Sequence, residues 1–332
     1  MNWSTRIKSI WKDLEIESSS SIVYKRLSPE IKPDIYVAIN AREKKKCLVA
    51  HAIFSDYYSN IIMVHHKSFK VDFIEGNFDT LKKYLIIQLE DEEHADVFSV
   101  LCADLFQEVR DINTNEKLVQ VLIHRISKWS ILFQKINAGG LSAEKQRGLY
   151  GELYFLNKFL SYNSDSNQVL SSWKGMEGAV QDFDNSGWAV EVKTTITKKH
   201  QKINISNERQ LDTSIVSEIY LYHLSLEARD NFGESLNDMV DRTFAILDDG
   251  IFNENLLRMK LYQAGYFEKD KFLYDVKGYT VREQNIFSVK DEFPRIEEKD
   301  LPNGVGDVKY SIMLPINDNW RITEEELLRK IS

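Results

Sequence analysis

In the stretch QDFDNSGWAVEVKTT, Gln181 to Thr195, three charged side chains are spaced so that a β-hairpin would gather them in one place. On a strand from Trp188 to Ile196, alternate side chains face opposite ways. Ala189, Glu191, Lys193 and Thr195 then share one face, and Trp188, Val190, Val192, Thr194 and Ile196 the other. The tetrapeptide DNSG, Asp184 to Gly187, is turn material, and a two-residue loop Asn185-Ser186 pairs Asp184 with Gly187. That register sets Asp182 opposite Ala189, on the face of Glu191 and diagonal to it, with Cβ atoms roughly 7 Å apart. A three-residue loop would turn Asp182 to the other face. Two carboxylates at that separation can hold one hard divalent cation, Mg²⁺ or Mn²⁺, whose remaining positions are filled by water and a substrate phosphate. A lysine beside them orients or deprotonates an attacking water and offsets charge on the phosphate. This is the chemistry of phosphodiester hydrolysis. An E-x-K pair alone also suits a solvated strand face, so the phased aspartate on the partner strand is what makes a constellation of the three.

The elements that must position these residues are legible around them. Asn137 to Gly140, NAGG, breaks the chain, and Ser142 then serves as N-cap, with Glu144 in the first turn, for the helix SAEKQRGLYGELYFLNKFLS. Leu149, Leu153, Leu156 and Leu160 fall on one face, and Glu152 lies about 60° from the centre of that stripe. A carboxylate there is half-buried and wants a partner, unless it simply sits at an exposed edge. After the hairpin, KTTITKKHQKINISNER sets Lys193, Lys198, Lys199, Lys202 and Arg209 against a single acid, Glu208. Solvated loop lysines would look the same, but the run is the candidate for a basic, DNA-binding border to the site.

The chain has 332 residues with 43 Lys and Arg against 51 Asp and Glu, a net charge of −8. Summed negative charge repels nucleic acid and anionic membrane alike, so any nucleic-acid contact must be local. No apolar run reaches membrane-spanning length and the first residues do not form a signal peptide, which makes a cytoplasmic protein with no membrane partner the expectation. Cys47 and Cys102 lie in apolar contexts and read as buried free thiols. Up to about residue 80 short strands dominate: SIVYKRL, DIYVAINA, KCLVAHAIF and IIMVHHKSFKVDFIE. Then Val97, Leu101, Leu105 and Val109 recur at helical spacing, and NEKLVQVLIHRISKWSILFQKI continues as a second helix. A domain boundary falls between about 125 and 140. It separates a strand-rich, then helical, N-terminal α/β domain (1–135) from a mixed α/β unit with a C-terminal extension (136–332). In the latter, INI, SEIYLYHLSL, KGYTVREQNIFSV and VKYSIMLP read as strands, SLNDMVDRTFAIL and NENLLRMKLYQAGY as helices, and Thr323 as the cap of a last helix. The pair His65 and His66 has no second ligand cluster, and NGVG lacks the lysine of a phosphate-binding loop.

The order Glu152 on a helix, then Asp182, then Glu191-Val192-Lys193 resembles the PD-(D/E)XK nuclease superfamily, whose core is a helix followed by a hairpin carrying metal carboxylates and a lysine. More narrowly, GLYGELYFL, the Trp173 loop, QDF, AVEVKTT, ISNERQL and DEFPRIEEKDLPNGVGDVKYSIML are similar to bacterial members encoded near restriction and phage-defence genes. The resemblance spans roughly residues 10 to 320 and is densest from 140 to 215. It implies a restriction-endonuclease-like core within a mixed α/β (α+β) fold, and Mg²⁺-dependent DNA cleavage in a restriction or phage-defence system. On that resemblance Asp182 and Glu191 are metal ligands and Lys193 the water-activating lysine. Glu152 is the helix carboxylate that completes or orders the site, and Gln210 a polar residue beside it. Gln181 stands where the superfamily's name has proline, which there supplies only backbone shape. A rival reading is a catalytically silent DNA-binding or scaffolding subunit that kept the fold; such a relative is expected to have lost one of Asp182, Glu191 or Lys193, and all three stand here. RNA in place of DNA is not separated by the sequence. Cutting both duplex strands takes two active sites, so the function implies a homodimer or a partner nuclease. Methyltransferase or ATPase subunits are further partners of such a setting.

Overall fold

The computed structural model describes residues 3–16, 21–54, 67–75, 83–134, 136, 139–185, 187–197, 202–247, 251–313 and 318–332. The chain forms two compact units, Met1–Ala138 with Glu254–Lys269, and Gly139–Asn253 with Asp270–Ser332. The α/β character expected from the sequence is present in both, around one five-stranded sheet each.

In the first unit β1 (Ile22–Lys25), β2 (Ile35–Asn40), β3 (Lys45–Ala52), β4 (Phe69–Glu75) and β5 (Lys83–Leu89) form an antiparallel sheet in the order β1-β2-β3-β5-β4. Alternation sends Val37, Leu48, Ala50, Leu85 and Ile87 into one core with α1 (Trp3–Leu14), α2 (Ala95–Val109) and α3 (Asn115–Gln134). Val97, Leu101, Leu105 and Val109 are all buried on α2, as their spacing requires. Strand signal expected to end near residue 80 stops one strand short: β5 lies beyond it and joins β3 to β4. Cys47 and Cys102 are buried free thiols. His65 and His66 lie outside the described residues.

The second unit opens with α4 (Ala143–Tyr162), where the Ser142 hydroxyl accepts the Lys145 N–H at 3.3 Å and closes the first turn. A short α5 (Ser166–Ser172) leads into β6 (Phe183–Asn185) and β7 (Trp188–Thr195). With β9 (Glu218–Asp230), β10 (Glu234–Ser235) and β11 (Lys277–Val289) these make a sheet in the order β10-β11-β9-β7-β6. β7 runs parallel to β9, and the other neighbours are antiparallel. Between β7 and β9 the chain makes β8 (Lys202–Ile205), which pairs with β12 (Tyr310–Met313) as a separate ribbon, and a 3₁₀ turn, Glu208–Leu211. Helices α6 (Leu236–Ile246) and α8 (Glu324–Ile331) complete this unit, α8 beginning on a Thr323–Glu326 capping box, while α7 (Ile251–Gln263), between them in the chain, belongs from Glu254 onward to the first unit.

Close contact of α4 with β7 depends on a glycine. A Cβ at Gly151 would collide with Thr194 Cγ2 and lie 3.5 Å from Val192 Cγ1. Backbone approach of this kind carries the helix bearing Glu152 down onto the sheet beside the hairpin. Among the described residues no helix is long and apolar enough to cross a membrane.

Candidate active site

The hairpin sets the geometry. Asn185 pairs with Trp188, Asp184 with Ala189 and Phe183 with Val190, two positions away from the expected register. Because side chains alternate with period two, a shift of two leaves every residue on its face. Continued one residue beyond β6, this register brings Asp182 directly opposite Glu191 instead of opposite Ala189, which shortens the expected carboxylate separation. Ser186 lies outside the described residues.

Each acidic group is held from a different element. The Val192 N–H donates to Asp182 Oδ2 at 2.8 Å, while the Asp182 carbonyl accepts from Lys174 and Gly175 N–H at 2.8 and 3.0 Å. At Gly175 a Cβ would stand 2.8 Å from Asp182 Oδ1 and 3.5 Å from Glu152 Oε2, so glycine is what lets the loop close over both carboxylates. Glu152, half-buried on α4, receives the Trp173 indole N–H at 2.8 Å, the partner its position on the helix demands. Glu191 is 1% exposed. Its Oε1 meets Lys193 Nζ at 2.6 Å and the Gln210 amide N–H at 2.7 Å. Oε2 of the same carboxylate is buried with no hydrogen-bond partner.

Gln210 is locked in orientation. Its Oε1 accepts the Ser206 N–H at 2.9 Å and Lys193 Nζ at 3.3 Å, which leaves Nε2 to face Glu191. Gln181, just before Asp182, donates to the Arg209 and Gln210 carbonyls at 3.1 and 3.3 Å and so ties the hairpin to the turn carrying Gln210. The sequence carries no local signal for the tethering by Gln181, the indole bond from Trp173 or the close approach at Gly175. Side-chain alternation reports which strand residues share a face, whereas these three contacts come from loops.

Burial and crowding decide the charge states. Desolvation, and then the charge of Asp182, push Glu191 up to about 8 and hold Glu152 well above the usual carboxylate range. Desolvation raises Asp182 as well. Burial works against the Lys193 ammonium, but Glu191 and Asp182 outweigh it and its pKa stays above the ordinary value. Three carboxylates around one ammonium thus carry more negative charge than the site accommodates when ionised.

An added cation would relieve that excess. Its donors would be hard oxygens, and the unpartnered Glu191 Oε2 beside Asp182 offers a lone pair, so the residues fit a magnesium-like ion. The described residues contain no group of three or more His, Cys, Asp or Glu arranged to hold a metal. Two protein carboxylates, with water and phosphate supplying the rest, is the smaller set that Mg²⁺ accepts.

Of the expected basic border, Lys202 is exposed on β8, and Arg209 is spent on Glu298 at 3.1 Å. Lys198 and Lys199 lie outside the described residues.

A helix-borne Glu, a hairpin Asp and a Glu-x-Lys strand gathered at one edge of a mixed sheet define a PD-(D/E)XK-like protein. Residues 7–315 match the model of the family described as "Putative PD-(D/E)XK family member, (DUF4420)", and the chain belongs to that family. No curated protein and no solved structure matches it.

Proposed function

We propose that the protein is a Mg²⁺-dependent DNA endonuclease working within a restriction or phage-defence system. The observation that carries this reading is the Glu191 carboxylate, held on one oxygen by Lys193 and Gln210 and left with the other buried and unpartnered beside Asp182. Leaving such an acceptor buried and unpartnered costs about 1–3 kcal/mol, a cost that a cation ligated there would offset. Family membership supports the nuclease class.

In this reading Asp182 and Glu191 would hold the divalent ion, which when bound supplies charge stabilisation at the scissile phosphate and lowers the pKa of water. Lys193 carries its ammonium throughout, orients the attacking water and donates to a non-bridging phosphate oxygen as charge develops there. Gln210 keeps Lys193 and Glu191 at fixed separation, so little reorganisation is needed at the moment of reaction. Glu152, whose carboxyl burial and the nearby Asp182 charge hold above the usual range, is kept in place beside the pair by the Trp173 indole.

Purified protein incubated with modified and unmodified phage DNA should nick or cut at least one of them with Mg²⁺ or Mn²⁺ and neither with EDTA. DNA binding without cleavage of any substrate under all these conditions would replace this reading with that of a silent DNA-binding subunit.

A further inference from the structure

A guanidinium held in place by neutral oxygens alone keeps its charge for an anion, so half-buried arginines without a carboxylate are candidates to bind one supplied from outside. In the second unit Arg147, Arg282 and Arg295 are half-buried. Arg295 pairs with Glu297 at 2.8 Å. Arg147 and Arg282 have no carboxylate within ion-pair distance among the described residues. Arg147 Nε, on α4, donates to Thr194 Oγ1 at 3.3 Å. Arg282 Nη2 donates to the carbonyls of Ile196 and Leu226, at 2.8 and 2.5 Å. Neutral oxygens hold both guanidiniums in place without neutralising either.

Their placement is as informative as their charge. Thr194 and Ile196 are one and three residues beyond Lys193 and face away from it, so the two arginines lie around the carboxyl end of the strand that carries the candidate catalytic lysine, Arg147 on the helix-covered face. Arg282 owes its reach to a break in the β11–β9 ladder between Val281 and Glu283, a bulge that re-aims one side chain. Arg209 and Arg242, in contrast, are exposed and satisfied by Glu298 and Glu234. The acidic neighbour is Glu283, exposed and adjacent in sequence.

We infer that Arg147 and Arg282 form a phosphate clamp that grips the DNA backbone on one side of the scissile bond, positioning the substrate without touching the reacting atoms. This rests on the nuclease reading above and adds which residues register the duplex. Guanidinium suits the role, because its planar donors remain available to a phosphate after one is spent on a carbonyl.

The test uses the full chain and a short duplex DNA in EDTA, with affinity measured against salt. Each of Arg147→Gln and Arg282→Gln should lower the slope of log affinity against log salt by about 0.9, the value for one lost phosphate contact. Arg→Lys at either position should restore the slope, and Arg242→Gln should keep the parental one. With Mg²⁺ present the Gln variants should raise KM and leave kcat near the parental value. The clamp is overturned if the Gln variants keep the parental slope, if Lys fails to restore it, or if the slope changes only with single-stranded RNA. A melting shift with inorganic phosphate that the Gln variants lose, at unchanged DNA slope, would assign the arginines to a free anion instead. A parent that binds duplex DNA with these slopes but cuts nothing supports the clamp and sinks the nuclease reading, so the two failures are distinguishable. A parent that binds no duplex DNA overturns both.

Discussion

Lys193 separates catalysis from architecture. As a strand residue merely facing water, its loss would cost at most about 0.5 kcal/mol, but here its ammonium lies 2.6 Å from Oε1 of Glu191, which is 1% exposed. Below its pKa of about 8 Glu191 already holds a proton, so Lys193→Ala leaves no uncompensated buried charge there, the fold survives and DNA is still bound. Cleavage should fall by about 10²–10³, as when one transition-state donor is deleted. Nicking by the variant at the parental rate, at matched melting temperature, would remove Lys193 from the mechanism. Glu191 gives a second, independent readout. Its folded pKa of about 8 lies above its ordinary 4.5, so between these values the folded state binds a proton that the unfolded state has released. Metal-free protein should therefore lose stability as pH rises through that window and change little from this source below it. Glu191→Gln should flatten the slope. Because a cation needs the carboxylates ionised, Mg²⁺ should raise the melting temperature more above pH 8 than near pH 6. Equal shifts at both pH values would argue against ligation by Glu191.

At the scale of elements, two glycines divide stability from activity. Gly151 is where α4 touches β7, and Gly151→Ala would drive a methyl into Thr194, an overpacking cost of about 1–3 kcal/mol. Gly175 lies against Asp182 Oδ1 in a loop, so Gly175→Ala should displace the carboxylate and depress metal-dependent cleavage more than it lowers the melting temperature. Melting and nicking rates on both variants check the contrast; equal losses of stability and activity in the two would refute it. The helix caps at Ser142 and Thr323 were legible because capping chemistry is local to a few residues. So was the shared face of Asp182, Glu191 and Lys193, which period-two alternation fixes even when the turn is placed two residues off. Strand β5 was not: KYLIIQL lies inside its sheet, shows no polar alternation and shortly precedes a helix, so the change of period masks the last strand. Gln181 and Trp173 were equally silent, because their partners Gln210 and Glu152 are brought by a separate turn and helix that no local pattern connects to them.

The whole molecule repels DNA by its net charge of −8, so local cations such as Arg147 and Arg282 must overcome a field that salt screens. Its covalent plan has a consequence for how it can be dissected. The chain builds most of the first unit, builds much of the second, returns with Glu254–Lys269 to the first, and finishes in the second. That return is structural: Tyr262 and Phe267 are 4% and 3% exposed within the first unit's core and stack at 5.5 Å, with Met259 packed against the same cluster. Losing a buried aromatic side chain costs about 3–5 kcal/mol, and an ordinary domain has only about 5–15 kcal/mol of stability in total. A fragment ending at residue 138 should therefore be marginal, with a low denaturant midpoint and exposed apolar surface that binds a hydrophobic dye. Joining Glu254–Lys269 to it through a long Gly/Ser linker should raise the midpoint and suppress the dye signal, whereas the same fusion carrying Tyr262→Ala and Phe267→Ala should not. Equal midpoints for the bare fragment and the fusion would mean that the first unit folds without its returning segment, and that the two units are separable at residue 138 after all.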